Sequence, residues 1–447
     1  MYIVFVATEI DPILPGGAGT VVAELTRRLT GAGHRVEILV VAAAPENVAD
    51  HDLPVTWVAP GVPDWRAPDQ HIANSRAAAE AVAGLPEQPD LVEFQDFQGL
   101  GVWALMRRGE LGLTDTPLVI RAHGPIGLIV HGVAPDHQPL TRTVERQAFQ
   151  MADAVVASSV ALADVLVRHY DLDRDRVRIG EPPVPALVLA DRRPAEAPEI
   201  VSYGRLGARK GSEDLLHAAL PLLAADSQAV LRFVGHDGWR IDTGKSMAAY
   251  LRSLIPEHLA DQVRFEDPVN RGELASVLAS AWMVVFPSRF ETFSLAVHEC
   301  RQLGVPIVIP QIPAYRGYFG YRSGARLYDG SVTGLTEAMA ELIDHPEMRA
   351  AMEAATPPPY GDPLLPYRPL TPRHPRTQAG LATAALRRIE AVSRPQPPTS
   401  PAASRLADRV LDGLPESLAG RLEVRAPGWS AVRRWRRRRA AAAWERD

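Results

Sequence analysis

Short apolar runs alternate with helical patterns from Tyr2 to Pro310, and this alternation restricts the chain to a parallel-sheet α/β architecture. A strand buried on both faces of a parallel sheet reads as a continuous apolar run, and the chain returns to the sheet through a helix. The first series places strands at Ile3–Ala7, Val36–Val41, Val55–Val58, Leu91–Phe94, Leu118–Ala122 and Ala154–Ala157, with helices over Val21–Leu29 and Leu140–Met151. At Pro182–Pro198 the composition turns rich in Pro and Ala, which marks a linker. The second series places strands at Ile200–Tyr203, Val230–Val234, Val263–Phe265, Trp282–Phe286 and Ile307–Pro310. Its helices fall over Ser212–Ala225, Ser246–Leu254 and Arg271–Ala279. A length of 447 residues is enough for two cores. Two doubly wound, Rossmann-like domains facing a cleft are therefore expected, over residues 1–190 and 191–356.

Residues 357–375 contain eight prolines and cannot form one helix. Gln378–Val392 is helical again, so 357–394 reads as a Pro-rich connection with a helix that packs back across the domains. Residues 395–447 read as a Pro linker and a basic tail, whose last 47 residues carry 11 arginines against 6 acidic residues. With Trp429, Arg433, Arg434, Trp435, Arg436 to Arg439 and Trp444, the tail suits either solvent or peripheral contact with an anionic membrane face. Cys300 is the single cysteine, which excludes an intrachain disulfide and a Cys-rich metal site. The chain opens on the strand-like Tyr2–Val6 without a leader pattern, and no apolar run reaches the ~18 residues of a span. The expected address is the cytoplasm, peripheral at the inner membrane face if the tail engages lipid, and no nucleic acid is expected as a partner.

The residues suited to chemistry cluster at strand carboxyl ends, where ligands of such sheets bind. The first is Gly16-Gly17-x-Gly19, after the first strand. It is not the dinucleotide pattern G-x-G-x-x-G and is equally a tight turn or a close backbone approach to ligand. The second is Gly204-Arg-Leu-Gly-Ala-Arg-Lys-Gly211. Here Arg205 and Lys210 span a turn between strand and helix and can converge on one diphosphate. Only two lysines occur beside 46 arginines, so a lysine at this turn stands out. The third is Pro287–Pro306, where Glu291 and Glu299 lie eight positions apart. A helix starting at Ser294 would leave the N–H groups of Phe293, Ser294 and Leu295 as an anion site. Its two carboxylates would stand roughly 12 Å apart at full helical rise, a span that fits a sugar hydroxyl, a phosphate and a ribose in sequence. Thr243-Gly-Lys-Ser246 is not a phosphate loop, because Trp239 stands where that motif needs glycine.

GRLGARKG followed some eighty residues later by E-x7-E resembles the retaining GT-B glycosyltransferases of family four, the group that includes sucrose-phosphate and glycogen-synthase-like enzymes. The resemblance covers roughly residues 1–350. It includes the Gly-rich loop, Arg121-Ala-His123-Gly124, the run from Glu145 to Ser158, Leu231–Gly235 and Pro287-Ser288. It implies that Arg205 and Lys210 bind the donor diphosphate, Glu291 holds hydroxyls of the transferred sugar, and Glu299 holds the ribose. It also implies that backbone groups of Phe293, Ser294 and Leu295 meet the donor, and that His123 faces the sugar from the other domain. Gly16, Gly17 and Gly204 would approach the donor, and Gln95 and Asp96 are weaker candidates for the acceptor side. Glu145 reads as structural, ion-paired near a helix start. The implied reaction retains anomeric configuration and uses no metal and no cofactor, since the nucleotide sugar is itself a substrate. The implied partners are an NDP-sugar donor and an unidentified glycan, lipid-linked or small-molecule acceptor. Alternatives on the same fold are an NDP-sugar epimerase, a phosphorylase, or a catalytically silent sugar-nucleotide-binding protein. The chain departs from the family in having Glu291-Thr-Phe-Ser294 where E-G-F-G is usual, and Gln311–Arg316 where Gly-Gly-x-x-Glu is usual.

Overall fold

A computed structural model describes residues 1–393 except 14–15, 46–51, 65–66, 68, 130–138, 186, 188–191, 241–243, 316–317, 320–322, 356–361, 363, 369 and 374. The basic tail therefore lies outside the described residues, as does Arg316.

The first sheet comprises β1 (Tyr2–Ala7), β2 (Arg35–Val41), β3 (Val55–Val58), β4 (Leu91–Gln95), β5 (Leu118–Ala122), β6 (Ala154–Ala157) and β7 (Val177–Ile179). Its spatial order is β3-β2-β1-β4-β5-β6-β7, every neighbour parallel. The second comprises β8 (Glu199–Tyr203), β9 (Val230–Val234), β10 (Val263–Glu266), β11 (Met283–Val285), β12 (Ile307–Pro310) and β13 (Ala325–Tyr328). Its order is β10-β9-β8-β11-β12-β13, again parallel throughout. All six residues of β1, and all of β4, β5, β6, β11 and β12, are buried. Helices on both faces exclude water from these strands, as their unbroken apolar runs require.

In each sheet the strand order reverses once, between β1 and β4 in the first and between β8 and β11 in the second. Such a reversal sends the two following loops apart and opens a crevice at the carboxyl ends. The Gly-rich loop follows β1, the Lys210 loop follows β8, and the Glu291 loop follows β11.

The chain returns to the first domain at its end. Tyr367 is buried there, donating to Glu93 Oε2 at 2.6 Å and accepting from Arg121 Nη2 at 2.8 Å. The helix Pro375–Ser393 packs on the helices Val102–Arg107 and Pro139–Met151, and its Ala385 and Ile389 join the first domain's core. The expected crossing helix is thus part of that core. Among the described residues no helix is long and apolar enough to cross a membrane.

Candidate functional site

The site begins with two loops leaving adjacent strands, since Met283 and Val284 of β11 pair with Ile200 and Val201 of β8. Gly211, at φ +69°, lies against the Pro287 carbonyl with no room for a side chain. Only glycine tolerates both that conformation and that approach. The contact brings Lys210 to the second loop, where Nζ donates to Glu291 Oε1 at 2.6 Å. Arg209 Nη1 lies 3.7 Å from the other oxygen and donates to the Phe290 carbonyl at 3.1 Å. The Glu291 side chain is 8% exposed and that of Lys210 31%, so the cation keeps a face toward the cleft.

Three residues on, the helix Leu295–Gln302 begins from Ser294 at φ 69° and ψ 82°, with no side chain capping it. Its first-turn N–H groups have no intrahelical partner, and among the described residues no side chain takes its place. Phe293 stacks on His298 with ring centroids 4.0 Å apart, which fixes how the chain enters the helix. Farther along, Glu299 accepts from Tyr203 OH at 3.1 Å and from both Arg271 Nη atoms at 3.2 Å.

The first domain supplies the opposite wall. His123 follows β5, and its Nε2 is buried without a hydrogen-bond partner among the described residues. Burial, with the Arg121 charge as a smaller cause, holds this imidazole down at about 3, so it is neutral at physiological pH. The turn after it is held by two buried carboxylates. Asp96 accepts from Gly124 N at 3.1 Å, and Glu145 accepts from Gln98, Ile126 and Gly127 N at 3.1–3.2 Å. Burial pushes Asp96 up to about 7. Burial and the neighbouring Asp96 push Glu145 up to about 8. Among the described residues Glu145 does not make the expected ion pair, and these backbone N–H groups satisfy its buried carboxyl group instead.

One cavity of ≈ 510 Å³ gathers Gly17, His123, Gly204, Lys210 and Glu291 with Phe293, Ser294, Leu295 and Glu299. Arg205 is exposed and lines an adjoining small recess with Lys210. Gly16 is packed under the Glu9 carboxylate, which accepts from Ala18 and Gly19 N at 2.8 and 3.0 Å. The helix end at Gly17 is thus met by the protein's own anion, whereas among the described residues none meets the helix end at Leu295. Gln95 and Asp96 are buried at the end of β4, Gln95 accepting from Thr8 N at 3.1 Å. No sequence pattern assigns a role to Arg209, Arg271 or Tyr203, and Thr292 enters there only as part of the departure from E-G-F-G. Arg209 could have been assigned one, because it sits inside the same Gly-rich turn. Arg271 belongs to no motif.

Two parallel α/β domains facing a cleft built from strand carboxyl ends form the GT-B fold of glycosyltransferases. Residues 15–186 match Glycosyltransferase Family 4 and residues 190–357 match Glycosyl transferases group 1. The chain belongs to this glycosyltransferase family. It is 28% identical over 364 residues to D-inositol 3-phosphate glycosyltransferase 1 of Catenulispora acidiphila, covering 76% of this chain and 85% of that one. It is 27% identical to the D-inositol 3-phosphate glycosyltransferase of Streptomyces scabiei, over 76% of this chain and 81% of the relative. Among solved structures, sucrose-phosphate synthase from Thermosynechococcus elongatus superposes with TM-score 0.62 at 19% identity, over 88% of this chain and all of the other. Anabaena HepE in complex with UDP-glucose superposes with TM-score 0.58 at 15% identity, over 88% and 98%.

Proposed function

We propose that the chain is a retaining, metal-independent glycosyltransferase that moves a sugar from a nucleotide-diphosphate donor held in this cleft. The observation that carries the reading is Lys210 Nζ fixed 2.6 Å from Glu291 beside the uncapped helix end at Leu295. A diphosphate laid there would meet the lysine, Arg205 and the first-turn N–H groups together. The leaving nucleotide gains negative charge as the glycosidic bond breaks, so these donors stabilise the transition state more than the ground state. Glu291 orients Lys210, and its second oxygen, 3.7 Å from Arg209, would accept a sugar hydroxyl. The neutral His123 offers Nε2 to the sugar from the opposite wall. Glu299 takes the ribose hydroxyls, after Arg271 yields one carboxylate oxygen. For retention, the departing phosphate oxygen accepts the acceptor's proton on the same face, so no enzyme nucleophile is required.

The names of the relatives make a small polyol phosphate the first acceptor class to assay. The test is product analysis with a panel of NDP-sugars and polyol acceptors in the presence of chelator. A new glycosidic bond of retained configuration is the expected product. An isomerised NDP-sugar, a sugar phosphate, or donor binding without turnover would replace the proposal with an epimerase, a phosphorylase or a silent binding protein.

A further inference from the structure

Thr292 stands where the resembling family usually has glycine, and it bridges the cleft twice. Its Oγ1 donates to the backbone carbonyl of His123 at 2.8 Å. Its own carbonyl accepts from Ser158 Oγ at 2.9 Å, with Ser159 Oγ at 3.5 Å. His123 and Ser158 directly follow adjacent strands of the first sheet, Ala122 of β5 pairing with Ala157 of β6. Thr292 lies between Glu291 and Phe293 of the second domain. One residue therefore ties both strand ends of one wall to the loop carrying Glu291.

We propose that Thr292 is a positioning residue that sets the distance between the His123 wall and the Lys210–Glu291 floor, closing the domains over the donor sugar. The inference rests on the function proposed above. A glycine here would leave the His123 carbonyl without this donor, and the two domains would be joined over the cleft by fewer directional bonds. His123 lines the same cavity, so a shift of its backbone moves the wall that faces the sugar. Misplacement by about 1 Å is enough to cost a reaction on the order of 100-fold.

The test compares Thr292→Val, which keeps the shape and loses the donor, with Thr292→Ser, which keeps the hydroxyl. Two readouts are taken on the full-length protein: steady-state kinetics with the best donor, and solution scattering with and without the corresponding NDP. Thr292→Val is expected to lower kcat by about 10- to 100-fold with a smaller change in donor KM. It should also enlarge the radius of gyration of the nucleotide-bound form, and Thr292→Ser should restore both. Wild-type kcat and scattering in Thr292→Val would overturn the proposal, as would a lowered melting temperature with kinetics unchanged. If the wild type turns over no NDP-sugar, the functional reading fails by itself, and the scattering comparison still decides whether Thr292 holds the domains together.

Discussion

Lys210 Nζ donates to Glu291 Oε1 at 2.6 Å, although the two residues are separated by 81 positions and belong to loops of different strands. The ammonium has two further donors, and the carboxylate's second oxygen is 3.7 Å from Arg209. In the proposed reaction the pair is a preset arrangement, with the cation turned to the donor phosphate and the anion to the transferred sugar. Lys210→Ala and Glu291→Ala are each expected to lose about 10²–10³ in turnover, the usual effect of deleting one group that stabilises the transition state. Because they act as a unit, the double variant should lose far less than the product of the two. Near-wild-type turnover in either single variant would contradict the assignment.

Ser294 holds φ 69° and ψ 82° at the helix N-terminus, a conformation that costs a side-chain-bearing residue about 1–2 kcal/mol. Replacing it with glycine removes that strain and adds about 0.5–1 kcal/mol of unfolded-state entropy. Ser294→Gly should therefore stabilise the protein by about 0.5–1 kcal/mol in urea denaturation. A loss of stability would show that the hydroxymethyl group holds a contact worth more than the strain.

Asp96 and Glu145 carry a pH signature. Their folded values, about 7 and about 8, lie above the ordinary 3.8 and 4.5. As pH rises from about 4, the unfolded chain releases these protons first, so it binds fewer protons than the native state and stability falls until both native groups ionise. Asp96→Asn mimics the neutral acid. It should raise the denaturation midpoint relative to wild type at pH 8 and change it little at pH 5. Equal effects at the two pH values would contradict the raised pKa.

The returning chain is fastened by Tyr367, whose hydroxyl sits between Glu93 Oε2 and Arg121 Nη2. Arg121 and Glu93 are 3% and 2% exposed, so Tyr367→Phe leaves two buried charged groups each short of a partner. A loss of about 1–3 kcal/mol is expected in equilibrium unfolding. A loss within error would mean that the C-terminal return does not brace the first domain.

The architecture was legible because strands buried on both faces leave unbroken apolar runs. Trp282–Phe286 was found as Met283–Val285, and Ser246 proved to be the N-cap of the helix Met247–Arg252. Short edge strands were not placed. Val177–Ile179 has three residues, and Ala325–Tyr328 carries Arg326 among half-buried and buried positions, so neither leaves a long apolar run. Nor was the Ala-rich helix Gln70–Ala83 placed, since six of its fourteen residues are alanine and mark no clear face. Within the site, Lys210 and Glu291 were legible because each lies in a local pattern at a strand end. The contacts of Arg271 with Glu299, and of Thr292 with His123, depend on distances between separate elements. No spacing along the chain encodes those distances.

The central claim is that one pyrophosphate binds between Lys210 and the helix end at Leu295, and calorimetric titration of UDP, GDP, ADP and dTDP into wild type and Lys210→Ala addresses it directly. At least one nucleotide should bind the wild type, and the variant should bind it about 10-fold or more weakly, as expected for losing a charge-assisted hydrogen bond of about 1.5–3 kcal/mol. Binding of equal strength in both proteins, or none to the wild type, would contradict the account.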